Sequence, residues 1–290
     1  MLKGLDIFLQ KVPALSGKRI ILLPLYVFSI IFLCLSLMMG FDTLPVVFGL
    51  KGASPLLLAL SPLAGELIVC VLGFALVWQM WFWKEKLKAK YGALAYQSIL
   101  LVGFAGISCV LSLALNMFVH YWWFSRPFWM FSPLKSLVLP LEWFLPFARV
   151  ETAVFRLLLA FFFTVTGFTL IIRSLFTFGF DYMSVLYLYY PQESKVQNHA
   201  IYSILRHPTY TGALLIGLGG MFYIFTLYSV IFYLVLLAGF CIHIHFVEER
   251  ELIVRFGQSY MEYMKQVPAF IVKPAKLRDF LAFLLGIMKH

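Results

Sequence analysis

Along this chain the apolar positions run almost unbroken over stretches of about 20 residues, and the polar positions gather between them. A stretch of that length is what an α-helix needs to cross the roughly 30 Å hydrocarbon layer of a bilayer. The pattern predicts spans at about 20–39, 62–83, 93–119, 152–172, 209–226 and 229–247. Segment 41–61 is apolar too, but Pro45, Gly49, Gly52 and Pro55 interrupt it. It reads as a re-entrant or interfacial piece, because irregular backbone at membrane depth must be sheltered by protein or water. Residues 121–150 hold Trp122, Trp123, Trp129 and Trp143 among prolines, an interfacial loop with its indoles at the headgroups. The expected fold class is all-α: a polytopic membrane helical bundle of about six transmembrane helices plus interfacial helices.

Composition narrows the function classes. Hydrophobic residues make up 62% of the chain and charged residues 12%, against about 45–50% and about 25% in soluble domains. No water-facing surface hides such a surplus. Soluble Rossmann enzymes, secreted disulfide scaffolds and nucleic-acid binders are excluded. The net charge of +10 is then read as the positive-inside bias. Cys34, Cys70, Cys109 and Cys241 each stand alone in an apolar run and read as buried thiols. No removable signal peptide is apparent, so the first span is expected to stay.

With the N-terminus in the cytoplasm and the spans alternating, only Lys51, Arg126, Lys135 and Arg149 fall on the opposite side, with Arg156 just inside a span. The remaining Lys and Arg collect on the cytoplasmic side, so both termini are expected there. The chain changes character near residue 150. Residues 1–150 form a membrane-helix region of no evident role, with Glu66 and Glu85 read as helix-end residues. Residues 151–290 carry the polar clusters, at 192–212 and 243–265. Polar groups at membrane depth are costly and mark a functional site by default. A tight hairpin between the last two spans brings the clusters to one mouth.

The first cluster contains Arg206-His207-Pro208-Thr209-Tyr210-Thr211-Gly212. Pro208 fits the first turn of a helix, whose free N–H groups attract anions. The second begins Glu248-Glu249-Arg250-Glu251-Leu252 and continues to Phe256-Gly257, Tyr260, Tyr263 and Val267-Pro268. Leu252, Phe256, Tyr260, Tyr263 and Val267 form an apolar stripe on a helix expected to lie on the membrane face. Glu251 and Arg255 read as a solvated i,i+4 pair. His243 and His245, two apart on a helix, point about 200° away from each other, which argues against a shared metal.

Together these clusters resemble the isoprenylcysteine carboxyl methyltransferase and phospholipid methyltransferase superfamily. Its R-H-P-x-Y-x-G, E-E-x-x-L and F-G-x-x-Y-x-x-Y texts match here in order over about residues 190–275. The resemblance implies an integral membrane methyltransferase core at 151–290 using S-adenosyl-L-methionine. It implies cofactor contacts at Lys195, Val196, Gln197, Tyr202, His207, Pro208, Thr209, Tyr210 and Glu248, and no metal. The implied partner is a hydrophobic or lipid methyl acceptor in the bilayer. Proton removal from an amine or thiol acceptor would fall to Glu249, His245 or water, and Arg206 is the cation nearest at hand for an acceptor carboxylate. Where the prenylcysteine enzymes carry a carboxylate-gripping Arg, this chain has Ile244, expected to leave an apolar wall that cannot make a bidentate contact. Two other readings stay open: a sterol or steroid reductase-like enzyme using NADPH, and a non-enzymatic transport or scaffold protein.

Overall fold

The computed structural model describes residues 2–47, 55–124, 152–225 and 227–287. It is built from helices, with no strand among the described residues. The chain opens with a short helix α1 (Leu5–Lys11), followed by α2 (Leu22–Val47), α3 (Pro55–Phe82), a short α4 (Lys84–Tyr91) and α5 (Ala95–Phe124). After the break come α6 (Ala153–Phe178), α7 (Pro208–Ile224) and α8 (Leu227–His243). A π-helical turn (Ile244–Glu248) runs into α9 (Glu249–Phe256), then α10 (Gln258–Gln266) and α11 (Leu277–Leu285).

Five helical stretches are long and apolar enough to span a bilayer: Gly17–Thr43, Leu60–Phe82, Lys84–Phe118, Ala153–Phe178 and Tyr228–Phe256. The remaining expected span is α7, of 17 residues. At 1.5 Å per residue it is about 25 Å long, short of the ~30 Å hydrocarbon layer.

Segment 41–61 departs from its expected form. Helix α2 continues to Val47 and α3 already begins at Pro55, so the apolar segment mostly extends the two helices that flank it. Residues 48–54, with Gly49 and Gly52, and residues 125–150, with Trp129 and Trp143, lie outside the described residues. Cys34, Cys70 and Cys109 are buried, but Cys241 is exposed on the outer face of α8. Glu66 is not at a helix end: it sits inside α3, 1% exposed.

The change of composition near residue 150 is not a structural boundary. One core joins Cys34, Met38, Phe74 and Leu113 of the first half to Ile216, Phe232 and Leu236 of the second. Helix α7 lies at the centre, packed on α6, α5 and α8. Its contact with α6 is a close backbone crossing. A Cβ on Gly167 of α6 would lie 2.5 Å from the Gly212 carbonyl oxygen of α7, and one on Gly212 would lie 2.8 Å from the Gly167 oxygen. In a bilayer, where lipid is as apolar as Leu, such small-residue contacts are what hold helices together.

This crossing leaves no room for a side chain at either glycine. Gly167→Leu is therefore expected to lower the melting temperature of the detergent-solubilised protein, by an amount equivalent to about 1–3 kcal/mol of overpacking. A Leu at Phe168, exposed on the next position of α6, is the control expected to leave it unchanged.

Candidate functional site

His207 caps α7 and Pro208 is its first residue. Thr209 and Tyr210 follow in the turn whose N–H groups lack intrahelical partners. The backbone just before the helix is held from the C-terminal side. Arg206 N–H donates to the Pro268 carbonyl at 2.9 Å, and His207 N–H to that of Ala269 at 3.2 Å. Tyr263 donates its hydroxyl to the Tyr202 carbonyl at 2.6 Å. The V-P segment and the second Tyr of F-G-x-x-Y-x-x-Y thus clamp the R-H-P segment, which gives these distant pieces of sequence a common purpose.

Side chains from the two clusters interleave. Arg206 Nη2 lies 2.8 Å from Glu249 Oε1. His207 reaches Glu249 Oε1 through Nε2 at 3.2 Å and Glu248 Oε1 through Nδ1 at 3.5 Å. Tyr210 donates its hydroxyl to Glu248 Oε2 at 2.7 Å. His207 and Glu249 are both buried, so neither could keep a charge there unpaired. Burial alone would drive the proton off His207; Glu248 and then Glu249 outweigh it and hold its pKa above the ordinary histidine value. Burial also pushes the Tyr202 hydroxyl well above the usual phenol range, helped by Tyr263 and Glu248, which keeps it a neutral donor.

A third side chain joins from the first half of the chain. Trp78 of α3 donates its indole N–H to His243 Nδ1 at 3.0 Å. Indole can only donate, so Nδ1 must accept and the imidazole proton resides on Nε2. That Nε2 is buried, 3.6 Å from Glu248 Oε2 and without a hydrogen-bond partner. His243 is thus a neutral donor pointed toward Glu248. The π turn makes this possible. Residues five apart are about 140° apart on an α-helix at 100° per residue, whereas i→i+5 bonding draws them toward one face. His243 and Glu248 are such a pair.

These groups border one cavity of about 440 Å³. Its lining includes Lys195, Val196, Gln197, Tyr202, Arg206, His207, Pro208, Thr209, Tyr210 and Glu248. Every residue the sequence assigned to cofactor binding therefore lines the same cavity, although they come from separate stretches of chain. Apolar side chains line it too, Phe74, Val77, Met80 and Trp81 of α3 and Phe104, Ile107, Val110 and Leu111 of α5, and the Phe74 and Trp81 rings lie 6.0 and 5.2 Å from that of His243. Phe178, Phe180, Tyr182 and Tyr187, at and just after the end of α6, also face it, while Phe176 is exposed.

Several expectations are corrected by this geometry. His245 does not join the site: it is exposed and stacks edge-on against Phe246. Glu249 lies behind the wall, locked between Arg206 and His207, and is not free to take a proton from the cavity. Ile244 is buried but lines no part of the cavity; the apolar wall comes from α3 and α5. Glu251 and Arg255 are not a solvated pair. They form a two-bond contact at 2.6 and 3.1 Å on the cavity wall, with Lys84 3.7 Å from Glu251. Leu252, Phe256, Tyr260 and Tyr263 turn their stripe to the cavity and to each other. Sequence reading missed Trp78 because one Trp in an apolar run is indistinguishable from a packing residue.

No protein-family profile, curated protein sequence or solved structure matches the chain. Among the described residues no three His, Cys, Asp or Glu side chains are grouped to hold a metal ion.

Glu249→Leu is expected to strand Arg206 and His207 and cost about 3–5 kcal/mol, the scale for breaking a buried pair from one side; equilibrium unfolding in mild detergent reads it. His207 gives a pH signature. A raised folded pKa stabilises fully below the unfolded value of about 6.5 and loses that contribution as pH climbs through the folded value. Melting temperature should fall over that range in the wild type, and the part due to His207 should vanish in His207→Gln.

Proposed function

We propose that the protein is an S-adenosylmethionine-dependent methyltransferase of the membrane, acting on a lipid or other hydrophobic acceptor, with this site at the cytoplasmic face. The observation that carries the reading is the meeting of Lys195–Gln197, Tyr202, Arg206–Tyr210 and Glu248 in the lining of one cavity that α3 and α5 also line with apolar side chains. That is the order of residues the superfamily resemblance implies for a cofactor site beside a lipid site. The collection of charged ends at Lys84, Lys195, Arg206 and Arg255 on the site's side of the bundle supports the cytoplasmic orientation.

The residues present suit the cofactor. It carries a carboxylate, an ammonium group, ribose hydroxyls and a sulfonium. Arg206 lines the cavity with its Nε buried and without a partner, and His243 Nε2 is likewise unpaired. Arg206 thus brings a positive charge to the cavity lining, and His243 Nε2 is turned toward Glu248. The first turn of α7 adds Thr209 and Tyr210 N–H groups and the positive end of the helix dipole. Glu248 is the acceptor for an ammonium or hydroxyl, and Tyr202 and Tyr210 present ring faces. When bound, S-adenosylmethionine supplies an electrophilic methyl group, so no covalent enzyme intermediate is required. The protein's part is orientation and exclusion of water. Trp78 holds His243 as a donor, and the Arg206–Glu249–His207 contacts hold the mouth rigid. With Glu249 locked and His245 outside, neither residue expected to take a proton from the acceptor is placed to do so. The site suits an acceptor that arrives ionised, or one whose proton leaves to water.

On this reading the acceptor enters from the bilayer between α5 and α6. Ile107 of α5 lines the cavity and is 39% exposed. Phe104, Ile171 and Phe178 continue the same apolar wall.

S-adenosylmethionine and S-adenosylhomocysteine are each expected to raise the melting temperature of the protein in micelles, with NADPH without effect. Glu248→Ala should weaken binding by about 2–5 kcal/mol, roughly 30-fold or more, while the exposed His245→Ala leaves it unchanged. Calorimetry showing no binding of either ligand to folded protein, or stabilisation by NADPH alone, would sink the reading. With binding established, turnover should rise with acceptor lipophilicity and fall when Ile107 is replaced by Glu.

A further inference from the structure

A second polar site lies away from the cavity, between α2, α3 and α5. Glu66 is 1% exposed inside α3, and Asn116 of α5 is 2% exposed. Asn116 Nδ2 donates to Glu66 Oε2 at 2.9 Å. That one bond leaves Glu66 Oε1 and Asn116 Oδ1 buried and without any partner. An ionised carboxylate and an amide oxygen are both acceptors only. Two such atoms, left side by side in a bilayer, would each lose their hydration for nothing, and the carboxylate would also carry an unpaired charge.

One occupant satisfies both orphans at once. We propose that Glu66 and Asn116 form an intramembrane proton-binding site, with the Glu66 carboxyl protonated and donating its O–H to Asn116 Oδ1. The pair then becomes a closed acid–amide ring: N–H of Asn116 to one carboxyl oxygen, O–H of Glu66 back to the amide oxygen. The proton comes from water, and binding it removes a charge from the hydrocarbon layer. The ionisable groups around it are Asp42 of α2, buried at 1% and close enough to interact with Glu66, Cys70 one turn along α3, and Tyr228 at the start of α8, which interacts with Asp42. None of these is a cation. The site stands independently of the methyltransfer reading. It acts on the helices that build the apolar wall of the cavity, since α3 and α5 supply both.

Infrared difference spectroscopy of the full-length protein in lipid nanodiscs tests it. The wild type at neutral pH should show a carboxylic-acid carbonyl stretch that carbon-13 glutamate labelling displaces. Glu66→Gln should lose that band and keep the wild-type melting temperature, because Gln offers the same ring of donor and acceptor. Should Glu66→Gln fail to fold, Asn116→Leu serves instead: it removes the amide partner and should move the band to higher frequency without abolishing it. Raising pH until the band disappears should lower the melting temperature. Absence of a protonated-glutamate band in the wild type overturns the proposal. So does a band untouched by both variants, or a melting temperature that depends on sodium over choline at fixed pH, which would place a metal cation there instead.

Discussion

Two successive cations, Arg206 and His207, face two successive anions, Glu248 and Glu249, in a place where none of the four could stand alone. Removing such charges from water costs several kcal/mol each. The cluster therefore holds only if every geometry that supports it is kept. Pro208 starts α7 immediately after the cations. The carbonyls of Pro268 and Ala269 pin their backbone. The π turn phases the anions against them, and the Gly167–Gly212 crossing holds α7 close against α6. With these supports in place, ionic groups and apolar side chains line the same cavity.

Much of this was legible in the chain, for identifiable reasons. Span existence follows from apolar runs, which report directly on the solvent. Pro208 after Arg-His marks a helix start by a local rule. The opposition of His243 and His245 follows from the 100° step of a helix, and the two do face apart, one buried and one exposed. What escaped was decided by tertiary contact. The i,i+4 spacing of Glu251 and Arg255 identifies a pair but not its surroundings, here the cavity wall with Lys84 of α4 beside it. Glu249 looks like a general base in sequence because nothing there shows that Arg206 and His207 already hold it. The break at Pro45–Pro55 looked like a re-entrant piece because proline and glycine weaken a helix on average, whereas both helices run on to Val47 and from Pro55.

The least legible half of the chain turns out to shape the cavity. Residues 1–150 carry no motif, yet α3 and α5 supply apolar lining of the cavity, and Trp78 sets the tautomer of His243. This division has a physical logic. A polar site demands particular donors and acceptors at fixed spacing, and so leaves a recognisable text. An apolar wall demands only volume and shape, which many sequences supply. Under the proposed methyltransfer reading, the cofactor end is accordingly the part with a family resemblance, and the acceptor end is the part free to differ. The residues that would choose the acceptor are then Phe74, Val77, Met80 and Trp81 with Phe104, Ile107, Val110 and Leu111, and not the charged cluster. Exchanging their sizes would retune which hydrophobic molecule fits, while the Arg206–Glu249 contact and the backbone clamp on His207 stay as they are.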